Sequence, residues 1–344
     1  MSTVLLAAVF LGCVVLQLVL WGAALRIGLR WAKVADVRIG RVLLATMLVF
    51  VVQSALSFAL VQVSPDDVGQ MLIFGIPMVL ASLLIPIFVI MGVFKASLPR
   101  ALQAWAVTLA GSIAAYALIF LVVGPFVGET FRNSGNAMAP TMLGNHWQGT
   151  CAKCGSPAFC SPVLDFDAGR EEVLMICRDN FHVTQPVETV EELLGGAVIG
   201  ADRFIVGKFL TPRRWDIIVY RHPEEPAVPY ATRLVGLPGE EIVIKDGRVW
   251  ANGKRLAVPA SIRGINYLSE LDGWPGELWG SPDRPAKLGN DEYFVLGDFS
   301  PRAKDSRLWE HGAAGHSPFA VPESHLVGVV THIYWPPSRW RELR

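Results

Sequence analysis

Formal charge is scarce in this chain. Asp, Glu, Lys and Arg make up 17% of its 344 residues, and 30 basic residues balance 30 acidic ones. That balance leaves no basic footprint for a nucleic-acid partner. The seven histidines form no His-x-x-x-His pair and no arrangement with serine and aspartate, so a triad hydrolase is unsupported. Cysteine is also rare, with five residues, and no strand–helix–strand pattern surrounds the Cys-x-x-Cys pair to suggest a thioredoxin-like redox site. Long uncharged runs are present instead. An apolar content of 52% and a mean hydropathy of +0.41 point to membrane spans.

Residues 4–25, 42–63, 68–94 and 101–127 contain no charged side chain. Each is long enough to cross ~30 Å of hydrocarbon, which takes about 20 helical residues. The first run has its basic residues after it rather than before it, and reads as a retained span rather than a cleaved signal peptide. Arg26, Arg30, Lys33, Arg38 and Arg41 follow the first run against a single Asp36, Asp66 and Asp67 follow the second, and Lys95 and Arg100 the third. The positive-inside rule then puts the first and third loops in the cytoplasm, with the N-terminus and everything after Val127 outside. The expected organisation is a membrane domain of four transmembrane helices over residues 1–128.

Beyond Val127 the texture changes to short apolar runs broken by Gly and Pro. Segments 204–209, 216–220, 233–236, 241–245, 248–251, 292–296 and 326–335 read as strands. Asp246-Gly247, between Ile242-Val243-Ile244 and Val249-Trp250, predicts a type I′ hairpin. One short helix is expected at 189–194. This part of the chain is mostly β.

Several ordered motifs lie in this β region. They are Gly135-Asn136-Ala137-Met138-Ala139-Pro140-Thr141-Met142, Arg214-Trp215-Asp216-Ile217-Ile218-Val219-Tyr220 and Thr232-Arg233-Leu234-Val235-Gly236-Leu237-Pro238-Gly239-Glu240. Val249-Trp250-Ala251-Asn252-Gly253-Lys254 follows, and then Gly297-Asp298-Phe299 through Asp305-Ser306-Arg307. Their order and internal spacing resemble signal peptidase I, the bacterial membrane peptidase that uses a serine–lysine dyad. The resemblance covers about residues 135–143 and 200–335, and it implies the family's complex β-fold and no cofactor for chemistry.

The departures concentrate where the resemblance places chemistry. The family's serine nucleophile corresponds to Ala137, its lysine base to Thr232, and the hydroxyl that orients the base to Ala303. Gly135 stands where a hydroxyl often serves the oxyanion hole. A serine–lysine dyad needs a hydroxyl within reach of a neutral amine, and neither Ala nor Thr supplies these groups. The resemblance assigns Met138 and Pro140 to a peptide groove, and Arg233, Gly236, Pro238, Gly239, Asp305, Ser306 and Arg307 to the groove and its scaffold. These are all retained.

An insertion separates the first motif from the rest. The strand that begins near Gly200 comes almost sixty residues after Met142, and the intervening segment holds Cys151, Cys154, Cys160 and Cys177. Cys151-Ala152-Lys153-Cys154-Gly155 has the form of a zinc knuckle. Its second half is Cys177-Arg178-Asp179-Asn180, so a fourth ligand would be Cys160 or His182. An exported domain lies in an oxidising space, which leaves two disulfides or unligated thiols as alternatives. The expected layout is a β domain over 129–144 and 200–344, with a Cys-containing, zinc-ribbon-like insertion over 145–199.

The expected function is that of a non-catalytic signal peptidase I homologue in protein export. It would be a multi-pass protein of the bacterial inner membrane, with its N-terminus and β domain on the periplasmic face. Its expected partners are signal peptides or exported preproteins, the lipid bilayer, and an active signal peptidase or the export machinery. The alternative is an active serine-type endopeptidase with displaced chemistry. Ser134 is then the candidate nucleophile, although three extended residues shift a hydroxyl by about 10 Å and reverse its face. Lys208 and Lys245 are the candidate bases.

Overall fold

In a computed structural model of the protein, the described residues are 3–61, 71–118, 121, 128–162, 173–271, 274 and 276–344. The chain divides into two compact units, 2–124 and 125–344.

The first unit contains helices α1 (Thr3–Trp31), α2 (Ile39–Val61), α3 (Ile76–Phe94, entered through a π turn at Met71–Gly75) and α4 (Leu98–Leu118). Three stretches, Leu11–Trp31, Ile39–Leu60 and Leu72–Phe94, are long and apolar enough to cross a membrane. The fourth expected span is helical in α4, but Arg100, Gln103, Thr108 and Ser112 dilute its apolar character and it is not among those three. The remainder of that span lies outside the described residues apart from 121, as do Asp66 and Asp67. Helix α1 packs against α2 and α4, and α3 packs against the same two, giving a four-cornered arrangement. In the α1–α2 loop, Asp36 pairs with both Arg38 and Arg41.

The second unit is built on antiparallel sheets. Its main sheet runs in the order β1 (Gly128–Arg132), β6 (Arg203–Gly207), β15 (Leu326–Trp335), β7 (Ile217–Arg221), β8 (Pro229–Gly236), β13 (Glu292–Leu296) and β14 (Val321–Pro322), with β16 (Arg341–Glu342) paired to β15. A second sheet has the order β11 (Lys254–Arg255), β10 (Arg248–Ala251), β9 (Glu241–Lys245) and β12 (Ala286–Lys287). Asp246 and Gly247 both take positive φ, as a type I′ hairpin between β9 and β10 requires.

The period-two alternation of a strand sorts the core into two faces. In β7, Ile217 and Val219 pack with Phe204, Val206 and Met138, whereas Ile218 and Tyr220 pack with Leu234, Val295 and Trp309. The main sheet is therefore covered on both sides.

The insertion forms its own sheet in chain order: β2 (Trp147–Thr150), β3 (Pro157–Cys160), β4 (Met175–Cys177) and β5 (Val183–Thr184). Its Phe159, Ile176 and Phe181 join the core cluster that contains Ile242, Ile244, Ile262 and Ile265. Helix α5 (Val190–Gly195) begins at a capping box in which Thr189 and Glu192 bond reciprocally.

Candidate functional site

The turn that carries Ala137 is anchored at several points. Asn136 donates from Nδ2 to the Asn145 carbonyl and to Ser161 Oγ, while its Oδ1 accepts from the Gly144 amide at 2.9 Å. The Phe299 amide donates to the Ala137 carbonyl at 2.9 Å. Met138 was expected to line the groove. It is instead 2% exposed, packed with Met142, Ile217 and Val219, and Pro140 is buried as well. Burying these apolar side chains beside the sheet helps hold the turn down. Ser134 and Gly135 are the exposed part of the segment, and Ala137 is half-buried.

Ala137 and Ala303 come together around Gly297. A Cβ placed on Gly297 would lie 2.3 Å from the Ala303 Cβ and 2.7 Å from the Ala137 carbonyl oxygen, so only glycine fits there. The Gly297 amide donates to Asp305 Oδ2 at 2.9 Å. Asp305 in turn pairs with Arg307, and both side chains are completely buried. The rest of the Arg307 guanidinium is satisfied by Ser300 and the Leu268 carbonyl. Ser306 closes the motif by accepting from the Val295 amide at 3.0 Å. Gly236 is enclosed by Phe294, Ile242 and Leu288, while Pro238 and Gly239 lie further out on the turn leaving β8.

Thr232 and Arg233 lie on opposite faces of β8. Thr232 is buried, and its hydroxyl lies 3.2 Å from the Tyr220 hydroxyl. Burial raises the Tyr220 phenol well above its ordinary value, so this pair has no titrating group near neutral pH. Arg233 makes a buried bidentate pair with Asp298 and donates to the Trp215 carbonyl at 2.8 Å. Thr141 donates its hydroxyl to Asp298, which couples the Ala137 turn to β8. On the other side of the turn, Asp202 accepts from the Leu143 amide and pairs with Arg339. Arg341 donates to the Thr141 carbonyl. Nothing in the sequence marks Arg339, Arg341 or the Tyr220 contact as part of the site.

Among the described residues, Ser134 makes no hydrogen bond to Lys208 or Lys245. Lys208 Nζ lies 2.7 Å from a Glu129 carboxylate oxygen, and Lys245 is exposed beside the β9–β10 hairpin. Ser134 is exposed at the surface.

In the insertion, the ligand atoms of Cys151, Cys154, Cys177 and His182 lie within 4.8 Å of one another. Cys154 Sγ is 3.5 Å from Cys177 Sγ, and Cys151 Sγ is 3.8 Å from His182 Nδ1. The Cys151 carbonyl accepts from the amides of Cys154 and Gly155, which folds the knuckle. The Cys177 amide donates to the His182 carbonyl, which brings the imidazole back beside its thiol. A backbone hydrogen bond from Ser156 lowers the Cys154 thiol to about 6, whereas burial raises the Cys177 thiol. All five cysteines are free thiols.

Of the two candidates for the fourth position, Cys160 and His182, the structure brings His182 to the cluster and leaves Cys160 elsewhere. It pairs with Trp147 at the far end of the β2–β3 hairpin, three residues beyond Pro157, which is about 10 Å of extended chain. Burial pushes its thiol up to about 11. His182 takes the fourth position.

The profile of the family described as signal peptidase, peptidase S26, matches residues 182–335. Residues 135–142 lie outside that match. A signal peptidase I of Leptolyngbya laminosa is 34% identical over 154 residues, covering 41% of this chain and 64% of that protein. Signal peptidase I of Pseudomonas aeruginosa is 28% identical over 150 residues, covering 38% and 53%. Signal peptidase I P of Bacillus subtilis subsp. natto is 30% identical over 167 residues, covering 46% and 82%. This chain thus spans between half and two thirds of the length of the first two relatives. A solved signal peptidase I from Enterococcus faecalis V583 aligns with 28% identity and a TM-score of 0.25, over 36% of this chain and 98% of that one.

Proposed function

This chain belongs to the signal peptidase I family, and from that premise we propose that it binds signal peptides or exported chains at a bacterial membrane without cleaving them. The observation that carries the reading is the pairing of Thr232 with Tyr220. The position matching the family's base holds a buried hydroxyl already committed to another buried hydroxyl, while Gly297 is enclosed by the Ala303 methyl group and the Ala137 carbonyl, and neither alanine carries a hydroxyl. Peptide recognition does not need that chemistry. The exposed stretch at Ser134-Gly135 offers main-chain groups to an extended partner, held in place by the Arg233–Asp298 and Arg339–Asp202 pairs.

Three further elements complete the proposal. All four helices of the first unit span the inner membrane, with the β unit on the periplasmic face, as the loop charges favour. The Cys151, Cys154, Cys177 and His182 cluster holds a structural zinc. Tetrahedral Zn–S bonds of ~2.3 Å place ligand atoms about 3.8 Å apart, close to the 3.5 and 3.8 Å separations here. The bound chain is handed to an active signal peptidase or the export machinery.

The test uses the full chain in lipid nanodiscs with a fluorescent preprotein. The unmodified protein and Ala137→Ser both leave the preprotein intact, because an unassisted hydroxyl stays protonated near neutral pH. Cleavage by the unmodified protein that Ser134→Ala or Lys208→Ala abolishes would replace this reading with that of an active peptidase using displaced residues.

A further inference from the structure

Among the described residues, the four-helix unit is packed at one end and surrounds a cavity at the other. At the end with the α1–α2 and α3–α4 connections, Leu25, Leu29, Val42, Ile90, Phe94 and Ala101 fill the space between the helices. From Trp21, Pro86 and Trp105 towards Leu60 and Tyr116, the helices instead surround a cavity of about 400 Å³. All four helices contribute uncharged polar side chains to its wall, among them Gln17, Gln53, Ser57, Ser82, Ser112 and Tyr116. Among the described residues, no Asp, Glu, Lys, Arg or His lines it.

Helix-to-helix bonding does not account for this polarity. Among the described residues, two side-chain hydrogen bonds cross between helices here. Gln17 Nε2 donates to the Tyr116 hydroxyl at 3.0 Å, and Gln53 Nε2 to the Ser82 carbonyl at 3.2 Å. The hydroxyls of Thr46, Ser82, Thr108 and Ser112 donate to carbonyls of their own helices. That bonding keeps their oxygen lone pairs available to a ligand, and each glutamine amide has further capacity to donate and accept.

We infer that this cavity binds a neutral lipid whose polar part is a hydroxyl or ester. The polar part sits among the glutamines and hydroxyls, and the hydrocarbon lies along Leu18, Val49, Leu83 and Leu109. The absence of basic lining residues argues against a phosphate, since an ionised group without a partner is costly inside a bilayer. Size argues against an apolar helix. One turn of a helix about 10 Å across and 5.4 Å long fills roughly 420 Å³, so the cavity holds about one turn, whereas a lipid needs only its polar part and the adjoining carbons inside, with the rest of its chains in the bilayer. An extended peptide would find no sheet edge on helical walls, where backbone groups are already paired. Water alone suits a uniformly polar cavity with several partners per molecule, but much of this wall is apolar.

The test uses the full chain in phosphatidylcholine nanodiscs, with Trp21 and Trp105 on the cavity wall as reporters. Dioleoylglycerol and a polyprenol, each brominated on its chain, are titrated separately at constant total lipid, with brominated phosphatidylglycerol as the charged control. The inference predicts saturable quenching by at least one neutral lipid, and the two titrations separate a glyceride from a prenol. Ser112→Leu and Ser57→Leu add bulk that the membrane tolerates, and each weakens the saturable binding by roughly tenfold, as the loss of a hydrogen-bonded site predicts. Trp21→Phe combined with Trp105→Phe removes the saturable signal. Quenching that rises linearly with mole fraction, equally for phosphatidylglycerol and unchanged in both leucine variants, would overturn the inference. Saturable binding of a synthetic signal peptide at these tryptophans, with none of either lipid, would assign the cavity to exported chains instead.

Discussion

Replacing Asp298 by asparagine removes the counter-charge of a guanidinium that water scarcely reaches. The Arg233 side chain is 5% exposed and that of Asp298 is fully buried. Two charge-assisted bonds join them, from Nε to Oδ1 at 2.7 Å and from Nη2 to Oδ2. Breaking such a pair from one side costs about 3–5 kcal/mol, because a buried charge is left behind. The Trp215 carbonyl still accepts from Arg233 Nη1, which favours the lower figure. In a folded unit of 150–250 residues, ~3 kcal/mol corresponds to a fall in Tm of about 6–12 °C. Thermal melting of the full chain in detergent, followed by tryptophan fluorescence, measures this directly. Arg233→Met with Asp298→Leu is the control, since removing both charges strands neither and should cost less. Asp298→Asn leaves one accepting oxygen where Thr141 and two Arg233 nitrogens now bond to two, so peptide binding at the Ala137 turn should weaken along with stability. A fall in Tm below about 2 °C, or a double replacement as damaging as the single one, would refute this reasoning.

Gly297→Ala should destabilise the β unit by about 1–3 kcal/mol, because its methyl group would overlap the Ala303 Cβ and the Ala137 carbonyl; a melt compared with wild type checks this. His182→Ala should lower the zinc content measured by elemental analysis, while Cys160→Ala should leave it unchanged, and chelation should lower the Tm of the wild type but not of His182→Ala. Burial lowers the His222 pKa below its ordinary value, so the folded state resists protonation there. Its stability contribution is complete above the unfolded pKa of about 6.5 and declines as pH falls towards the folded value. His222→Phe should therefore flatten the loss of Tm between pH 7.5 and 5.5, a window set by that reference pKa of about 6.5.

Local signals were legible where local chemistry decides the outcome. The Asp246-Gly247 turn, strands β9, β10, β13 and β15, and the Thr189 cap all follow from short-range patterns. Strand β8 begins at Pro229, four residues before the expected start, because pairing with β7 extends over residues without clear alternation. The ion pairs that fix the candidate site were not legible. Arg339 lies 137 positions from Asp202, and nothing local marks either residue as the partner of the other. The fourth position of the Cys/His cluster depended on geometry too, since both Cys160 and His182 fit the spacing. Only the register of β3 shows that Cys160 lies at the far end of its hairpin, opposite Trp147, rather than beside the knuckle. The polar cavity of the helical unit was also invisible in the sequence, where its glutamines and hydroxyls lie scattered along spans read for their lack of charge.

The most direct test is to recover a preprotein from its complex with the unmodified full chain in nanodiscs and determine its mass. The account predicts saturable capture with the signal peptide still attached, and loss of capture in Asp298→Asn. A preprotein shortened at its signal-peptide junction, or no capture by the folded protein, would contradict it.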